Sequence, residues 1–345
     1  MRVSRALWVT LVVGAACGEE KASPAGDTFV DAASEIGMGS PPVDGTSGED
    51  MKASADTEQA TDLGLPDTNV TDLGPSDRGG RVTNRCFAPG GPTQVVAHRG
   101  GARLRPEHTL AAYDHAIAIG ADVIELDLRV SADGVVVVIH DDTVDRTTDG
   151  EGAVIALSFE SLQALDAGYR FDSGAYRGQG LRIPSFEEIL VRYPGVCMSL
   201  ELKTDSLSAA GAVVDLIDAS DAGDSVLLVS FAAEPLEFVR ARHPEWVTGM
   251  NLSESLELGM LDDAGFAKWQ TSASVWQPPF AVVDAASMAR ANARGLIAQP
   301  WTVNDSADMT RLLALGVDGI ITDDPVKLLL WLEVNGREPN FAHHP

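Results

Sequence analysis

The sequence predicts an α/β protein, a TIM (β/α)₈ barrel preceded by a signal peptide and a disordered acidic linker. From Cys86 onward, short apolar runs alternate with amphipathic stretches over about 250 residues, the usual length of such a barrel. The runs lack polar alternation, which is typical of parallel strands buried on both faces. A doubly wound open sheet is the alternative, but no glycine-rich dinucleotide fingerprint follows the first run.

The apolar runs predict the strands of the barrel. They are Gln94–Ala97, Val123–Leu128, Val135–Ile139, Val196–Leu202, Ser225–Val229, Val247–Asn251, Ala273–Trp276, Leu296–Gln299 and Gly319–Ile321. Stretches of helical periodicity lie between most of them and predict the helices. These are Thr109–Ile119, Ser208–Ala219, Pro235–Arg242, Asp284–Arg294 and Ser306–Leu315.

Residues 1–17 predict an export signal. Arg2 and Arg5 give a basic start, and the apolar run Ala6–Ala16 is too short to span a bilayer. Small residues before Cys17 resemble a bacterial lipoprotein signal, in which the cysteine is lipidated and becomes the N-terminus, although such signals usually have leucine where Gly14 stands. Ordinary cleavage just before this cysteine is the alternative. We therefore expect an exported protein, either a membrane-anchored lipoprotein of the periplasm or outer membrane, or a secreted one.

Residues 18–85 predict a disordered acidic linker ahead of a barrel domain at residues 86–345. Between Gly18 and Arg81 the chain has 14 acidic and 4 basic residues, so this stretch carries a net charge of 4 − 14 = −10. Its small and polar residues cannot bury enough apolar surface to offset the entropy of ordering. We expect a tether that separates the barrel from a membrane, or a simple spacer.

The overall charge narrows the range of partners. The chain carries a formal net charge of −26, with a pI of about 4.4. Nucleic acids are excluded as partners because their binding depends on clustered Lys and Arg. An anionic membrane would also repel the chain, so we expect membrane attachment only through a lipidated N-terminus. A small anionic substrate needs only a locally positive pocket, and nothing in the sequence indicates an oligomeric state.

Polar residues gather just after the predicted strands, where a barrel carries its active site. These candidate residues are His98, Arg99, Glu125, Asp127, His140, Glu201 and Lys203. Glu125 and Asp127 are two positions apart and point to the same side of one strand. Carboxylates in an apolar strand repel one another unless a cation lies between them. An all-oxygen ligand set favours Ca²⁺ or Mg²⁺ over Zn²⁺.

This residue set suits cleavage of a phosphodiester. A bound cation can polarise a non-bridging phosphate oxygen, and Arg99 and Lys203 can hold the phosphate. His98 and His140 provide one general base and one general acid. Any one of these residues alone has a structural explanation, such as an ion pair or a solvated strand end, but that explanation weakens when all of them converge at one end of a barrel.

Motifs in the same order resemble the glycerophosphodiester phosphodiesterase family over roughly residues 93–335. They are His98-Arg99-Gly100 with Pro106-Glu107-His108-Thr109, Glu125-Leu126-Asp127, His140-Asp141 with Asp145-Arg146-Thr147-Thr148, Pro184-Ser185-Phe186-Glu187-Glu188, Glu201-Leu202-Lys203, Trp301-Thr302-Val303-Asn304 and Gly319-Ile320-Ile321-Thr322-Asp323. One departure is His108, where the family usually has asparagine. His108, His115 and His243 are otherwise interpreted as surface or packing residues.

The resemblance implies a role for each motif residue. Glu125, Asp127 and Glu201 would bind the metal, His98 and His140 would form the acid–base pair, Arg99 and Lys203 would bind phosphate, Trp301 would line the glycerol or alcohol side, and Glu107 would support the site. The implied activity is metal-dependent hydrolysis of a small glycerophosphodiester to glycerol 3-phosphate and an alcohol. Attack by the glycerol 2-hydroxyl or by water would use the same residues.

Two other functions remain as alternatives. One is a lipid phosphodiesterase of the lysophospholipase D or sphingomyelinase D type, which would need apolar surface for an acyl chain. The loops Asp141–Gly152 and Ala167–Gly180 are polar and favour the small substrate, although Trp276–Phe280 is more apolar. The other is a catalytically inactive barrel that serves as a binding protein. The presence of all seven candidate polar residues argues against this alternative.

The cysteines give one further expectation. If Cys17 carries lipid, Cys86 and Cys197 are left as a pair in a compartment that permits disulfides. Cys197 begins a predicted strand and Cys86 precedes the first one, so a bridge would lie at the end of the barrel opposite the chemistry. Two unpaired structural cysteines are the alternative.

Overall fold

The computed structural model describes residues 84–336. The predicted signal peptide, Cys17, nearly all of the predicted linker, and the C-terminal tail with His343 and His344 lie outside the described residues. Asn84 and Arg85 already contact the barrel, because the Asn84 side chain donates to the Val226 carbonyl at 3.1 Å and Arg85 donates to the Gly195 carbonyl at 2.8 Å.

Parallel strands form a closed barrel. The strands are β1 (Gln94–Ala97), β2 (Val123–Val130), β3 (Val136–Val138), β4 (Met198–Leu202), β5 (Val226–Val229), β6 (Val247–Thr248), β7 (Val275–Trp276), β8 (Ile297–Ala298) and β9 (Gly319–Thr322). All except β3 run parallel in sequence order, and β9 pairs with β1. The Met250 amide donates to Val275 at 3.1 Å and the Asp318 amide to Ala298 at 2.9 Å, which join β6 to β7 and β8 to β9. The predicted TIM barrel is confirmed.

Strand β3 lies outside the barrel wall. It pairs antiparallel with the end of β2, with Leu128 opposite Val138. Its outer residues pack into a separate apolar cluster under the following loops. That cluster contains Val137, Ile139, Val144, Val154, Leu162, Ala167 and Ile183. The apolar run that predicted a strand here is therefore correct in type, and it anchors the segment that brings His140 to the barrel mouth.

Helices follow the strands and cover the barrel. They are α1 (Leu110–Ala118), α2 (Phe159–Gln163), α3 (Phe186–Arg192), α4 (Leu207–Ala219), α5 (Ala233–Arg242), α6 (Leu252–Met260), α7 (Asp263–Phe266), α8 (Ala285–Ala293), α9 (Ser306–Leu315) and α10 (Pro325–Val334). The predicted helices correspond to α1, α4, α5, α8 and α9. Helix α3 begins with a capping box in which Ser185 and Glu188 satisfy each other's backbone amides. No helix within residues 84–336 is both long and apolar enough to cross a membrane.

Apolar side chains plug the N-terminal end of the barrel. A cluster inside the barrel takes one residue from most strands: Val96, Val123, Cys197, Leu227, Val247, Val275, Ile297 and Ile321, together with Cys86 and Phe87. Cys86 and Cys197 are joined by a disulfide with Cα atoms 5.6 Å apart. The polar residues that follow the strands therefore lie at the other, C-terminal end.

A buried carboxylate lies at the plugged end. Asp122 is 4% exposed, its Oδ2 accepts from the Val95 amide at 2.7 Å, and its Oδ1 has no hydrogen-bond partner among residues 84–336. Burial raises the pKa of Asp122 to about 7, although the hydrogen bond from Val95 opposes this shift. Between the ordinary pKa and this raised value, the folded state keeps a proton that the unfolded state has lost. Stability contributed by the neutral form therefore falls as pH rises through this window.

We predict that Asp122→Asn flattens the dependence of stability on pH. The full slope is about 1.4 kcal/mol per pH unit, and it declines near pH 7 as folded Asp122 itself ionises. Asp122 should therefore cost the wild type about 2 kcal/mol between pH 5 and 7. Between pH 5 and 7, the free energy of unfolding of the variant should therefore rise relative to that of the wild type. In the variant, the buried asparagine amide lacks an acceptor at every pH, which lowers stability by a constant amount. The test is therefore the slope of the unfolding free energy against pH and not its absolute value. Urea denaturation at several pH values, with the exposed Asp205→Asn as control, measures it, and parallel slopes would refute the assignment.

Candidate active site

The turn after β1 brings a backbone amide to the first carboxylate. Arg99 adopts a left-handed conformation with φ 53°, and its amide donates to Glu125 Oε2 at 2.8 Å. Such backbone conformations in non-glycine residues cost energy and are common at functional sites. Gly100 lets helix α1 approach closely, since a Cβ there would meet Ala112 Cβ at 2.8 Å. The turn therefore fixes Arg99 between β1 and β2.

Glu125, Asp127 and Glu201 form a compact carboxylate cluster. In the pairing of β2 with β4, Asp127 lies opposite Glu201 and Glu125 lies opposite Ser199. One oxygen from each carboxylate lies within 4.8 Å of the others. Glu125 and Asp127 are buried at 5% and 1% exposure. The strand pairing thus assembles three acidic groups that are far apart in sequence.

Two cations contact this cluster. Lys203 Nζ lies 2.8 Å from Glu201 Oε1 and 3.3 Å from Asp127 Oδ1, and Arg99 Nε lies 3.6 Å from Asp127 Oδ2. Burial would raise the pKa of Asp127, but Lys203, a hydrogen bond from His108 and Arg99 together hold it well below its usual value. Asp127 is therefore the most readily ionised member of the cluster.

The cluster can hold a divalent cation. Asp127 Oδ1 is buried and accepts no hydrogen bond from any group within residues 84–336. Burial together with the charge of Asp127 raises the pKa of Glu125 well above its usual value. Burial also raises the pKa of Glu201, which Lys203 only partly offsets. A cation among these oxygens would relieve the repulsion, and the ligand set is all oxygen, which suits Ca²⁺ or Mg²⁺.

Each predicted catalytic histidine is held by an aspartate. His98 Nδ1 lies 2.5 Å from Asp323 Oδ1, and the Asn304 amide donates to the other oxygen of Asp323 at 2.7 Å. His140 Nδ1 lies 2.7 Å from Asp141 Oδ1. Burial would raise the pKa of Asp323, but His98 and Asn304 lower it, so the carboxylate is ionised and accepts from the ring. With Nδ1 protonated, each ring leaves Nε2 for chemistry.

Arg146 connects Asp141 to Glu107. Its guanidinium donates to Asp141 Oδ2 at 2.7 Å and to the two oxygens of Glu107 at 2.7 and 2.8 Å. Glu107 in turn accepts from Arg99 at 3.1 Å. Although burial opposes ionisation of Glu107, Arg146 and Arg99 lower its pKa. Glu107 therefore braces the site through arginines, in keeping with the supporting role that the resemblance implies.

His108 reaches the site from beneath. It is 4% exposed, its Nε2 lies 2.8 Å from Asp127 Oδ2, and its Nδ1 lies 2.7 Å from the Tyr113 hydroxyl. Burial lowers the pKa of His108, although the hydrogen bond that its ring donates to Asp127 opposes this shift. The neutral ring donates from Nε2 to Asp127 and accepts from Tyr113. The interpretation as a packing residue was incomplete, because this histidine also orients a carboxylate of the cluster. His243 instead stacks on Trp246 away from the site, with ring centroids 3.9 Å apart.

One cavity joins these groups. Its polar wall contains His98, Arg99, Glu125, His140, Glu201, Lys203, Ser230, Ser255 and Gln277, and its apolar wall contains Val229, Phe231, Met250, Leu252, Trp301 and Ile321. Trp301 stacks on Phe231 with ring centroids 5.8 Å apart. The predicted site residues thus come together. All of them line the cavity except Asp127 and Glu107, which contact the lining residues Lys203 and Arg99.

Four further residues contribute to the site without a role predicted from the sequence: Asp323, Asn304, Asp141 and Arg146. Asp323 directly follows β9 and Asp141 directly follows His140. Polar residues just after barrel strands could have indicated the first, and the adjacency of the two side chains could have indicated the second. Their pairing with particular histidines depends on the closed barrel and has no local signal.

The chain is similar to known phosphodiesterases in sequence and in structure. Residues 98–327 match the glycerophosphoryl diester phosphodiesterase family. A glycerophosphodiester phosphodiesterase of Caldanaerobacter subterraneus subsp. tengcongensis is 35% identical over 247 residues, which are 69% of this chain and 96% of that protein. The structure of an Oleispira antarctica phosphodiesterase in complex with the product sn-glycerol-3-phosphate is 28% identical, with a TM-score of 0.62, and covers 70% of this chain and 97% of that one. A lysophospholipase D of Mus musculus is 24% identical over 281 residues, 73% of this chain and 85% of that protein.

The family match and the relatives show an enzyme of the phosphoric diester hydrolase class, and its acidic and basic groups gather at the C-terminal mouth of a closed parallel barrel. The chain belongs to the glycerophosphoryl diester phosphodiesterase family.

Proposed function

We propose that this chain hydrolyses small glycerophosphodiesters to glycerol 3-phosphate and an alcohol, using Ca²⁺ or Mg²⁺ and a pair of histidines. The observation that carries the proposal is the carboxylate cluster, two of whose members, Glu125 and Glu201, line one cavity together with both histidines and two cations. The Oleispira antarctica relative binds sn-glycerol-3-phosphate as its product, which supports the same product here.

The cations of the site would position the phosphate. Arg99 and Lys203 line the cavity beside Glu125 and Glu201, and charge-assisted hydrogen bonds from Arg and Lys are well suited to phosphate oxygens. A divalent ion bound by Glu125, Asp127 and Glu201 would polarise a non-bridging oxygen and neutralise developing charge. Arg99 is held by its hydrogen bond to Glu107, and Lys203 is held by Glu201 and Asp127.

The histidines would move the protons. Each presents Nε2 while its Nδ1 is bound to an aspartate. One Nε2 would take the proton from the attacking hydroxyl, either the glycerol 2-hydroxyl or water, and the other would give a proton to the departing alkoxide. Asp323 and Asp141 stabilise the imidazolium that forms in each case. If the glycerol 2-hydroxyl attacks, a cyclic phosphate forms and water opens it with the roles reversed.

A second candidate is hydrolysis of a lysophospholipid. The apolar wall of the cavity offers surface on which an acyl chain could pack, whereas the loops after β3 are polar. This wall contains Phe231, Met250, Leu252 and Trp301. A lysophospholipase D is among the relatives. Comparing kcat/KM for glycerophosphocholine and lysophosphatidylcholine at fixed detergent separates the two. A tenfold preference for the lysolipid, which is about 1.4 kcal/mol, would favour this second candidate.

We predict that activity requires a divalent cation. Chelation by EDTA should abolish hydrolysis of glycerophosphocholine, and Ca²⁺ or Mg²⁺ should restore it better than Zn²⁺ because the ligand atoms are all oxygen. Glu201→Gln should need a higher cation concentration than the wild type, since it removes one negative charge from the cluster. An exposed Glu257→Gln variant serves as control. Full turnover after exhaustive chelation would exclude a metal role.

We predict that the two histidine–aspartate pairs carry the acid–base chemistry. His98→Ala and His140→Ala should each lower kcat by about two orders of magnitude or more. Asp323→Asn should lower kcat and shift the pH–rate profile, because a neutral asparagine cannot stabilise the charged His98 ring as the Asp323 carboxylate does. His243→Ala, which lies away from the cavity, should keep wild-type rates. Wild-type kcat in either cavity variant would remove that residue from the mechanism.

We also propose that the enzyme is exported and anchored by lipid on Cys17. The basic and apolar start of the chain supports export, and a disulfide such as Cys86–Cys197 is stable in an oxidising compartment.

The anchor predicts that Cys17→Ala moves the protein from the membrane to the soluble fraction. Fractionation followed by mass spectrometry of the mature N-terminus measures it. A wild-type protein that is soluble and carries no acyl mass at Cys17 would refute lipidation, and two free thiols at Cys86 and Cys197 would remove the support from the disulfide.

A further inference from the structure

A ladder of glutamine side chains runs through the barrel interior. Gln94 donates to the Cys86 carbonyl at 2.6 Å, Gln299 donates to Gln94 Oε1 at 2.6 Å, and Gln277 donates to Gln299 Oε1 at 2.9 Å. Gln94 and Gln299 are buried at 8% and 0% exposure. The ladder therefore connects the plugged end of the barrel to Gln277, which lines the active-site cavity.

The direction of every hydrogen bond in the ladder follows from its lower end. A backbone carbonyl can only accept, so the side-chain nitrogen of Gln94 must face Cys86. Its oxygen must then face the nitrogen of Gln299, and the oxygen of Gln299 must face the nitrogen of Gln277. The Gln277 nitrogen also donates to Ser199 Oγ at 3.2 Å. The ladder thus assigns both ends of the Gln277 amide.

The remaining atom, Gln277 Oε1, is an acceptor at the cavity. No donor within residues 84–336 is hydrogen-bonded to it, and Gln277 is half-buried. The Trp301 indole donates to the Gln277 backbone carbonyl at 2.8 Å, which fixes the residue further. A phosphate diester oxygen carries no proton at neutral pH, so this acceptor repels phosphate and selects a hydroxyl. Arg99 and Lys203 are positively charged hydrogen-bond donors, so they select the phosphate instead.

The strand register sets the depth of this acceptor. Ser199, which Gln277 contacts, lies opposite Glu125, one layer below the pair of Asp127 and Glu201. The cavity floor is therefore deeper than the upper carboxylates of the cluster. In a glycerophosphodiester, the terminal hydroxyl is the group of the glycerol unit farthest from phosphorus.

We propose that Gln277 is a specificity-determining residue whose Oε1 accepts a hydrogen bond from the terminal hydroxyl of the glycerol unit. The inference rests on the proposed function and extends it to the substrate class. A 1-acyl lysophospholipid carries an ester at that position and has no donor for Gln277. The glutamine ladder thus selects deacylated diesters over lysolipids, although part of the cavity wall is apolar.

The test compares glycerophosphocholine with an analogue in which the terminal hydroxyl is replaced by hydrogen. For the wild type, kcat/KM should fall on the order of tenfold or more with the analogue, because the site is built around that hydroxyl. Gln277→Met should lose a similar factor on glycerophosphocholine and should no longer distinguish the two substrates. The exposed Gln270→Met should keep the wild-type ratio.

Each outcome has a separate meaning. A wild type that hydrolyses both substrates equally well overturns the inference and leaves the proposed function standing, and this measurement needs no variant to fold. A Gln277→Met protein that is folded by circular dichroism and keeps the wild-type ratio also overturns it. A wild type that hydrolyses no glycerophosphodiester overturns the proposed function and the inference together.

Discussion

The arrangement of the site follows from the need to keep three carboxylates together inside a barrel. Glu125, Asp127 and Glu201 come from two adjacent strands, and their oxygens lie within 4.8 Å of one another. Placing such charges together away from water is costly unless cations or hydrogen bonds compensate them. Arg99, Lys203 and His108 compensate Asp127. Within the described part of the chain, Glu125 accepts a hydrogen bond only from the Arg99 backbone amide. The cluster is therefore incompletely neutralised, and a divalent cation bound there would compensate the remaining negative charge.

The barrel separates stability from chemistry along its axis. Apolar residues and the Cys86–Cys197 disulfide occupy the N-terminal end, and the charged groups occupy the C-terminal end. The glutamine ladder crosses this boundary, since it begins at a carbonyl beside the disulfide and ends at the cavity. The hydrogen bonds at the plugged end thereby determine which atom of the Gln277 amide is left to face the cavity. Preorganised polar groups of this kind are what an active site needs in order to discriminate between donors and acceptors.

Much of the fold could be predicted from the sequence because its signals are local. The apolar run at Gln94–Ala97 matches β1, and the helical periodicity at Ser306–Leu315 matches α9. The strands β6, β7 and β8 are shorter than their apolar runs, since only two residues of each keep regular pairing. Strand β3 could be recognised as a strand, but its antiparallel pairing outside the barrel depends on the loop cluster that it covers.

The parts of the site that lie on one strand could be predicted from the sequence. The contacts that form only when the barrel closes could not. The spacing of Glu125 and Asp127 places both on one side of β2. In contrast, His98 and Asp323 are 225 residues apart and meet only because β9 pairs with β1. His108 had no sequence context that linked it to Asp127, and its contact arises because the turn after β1 folds back beneath β2. The glutamine ladder likewise joins strands that are distant in sequence.

The most direct test of a cation-binding cluster is a calorimetric titration of the full chain with Ca²⁺ and with Mg²⁺, independent of any substrate. The wild type should bind one divalent ion per chain. Asp127→Asn, which removes the charge that Lys203, Arg99 and His108 surround, should bind at least about tenfold more weakly, a difference of about 1.4 kcal/mol. Asp142→Asn, an exposed carboxylate outside the cluster, should bind as the wild type does. A wild type that binds neither ion at millimolar concentration, or an Asp127→Asn variant with unchanged affinity, would contradict the account.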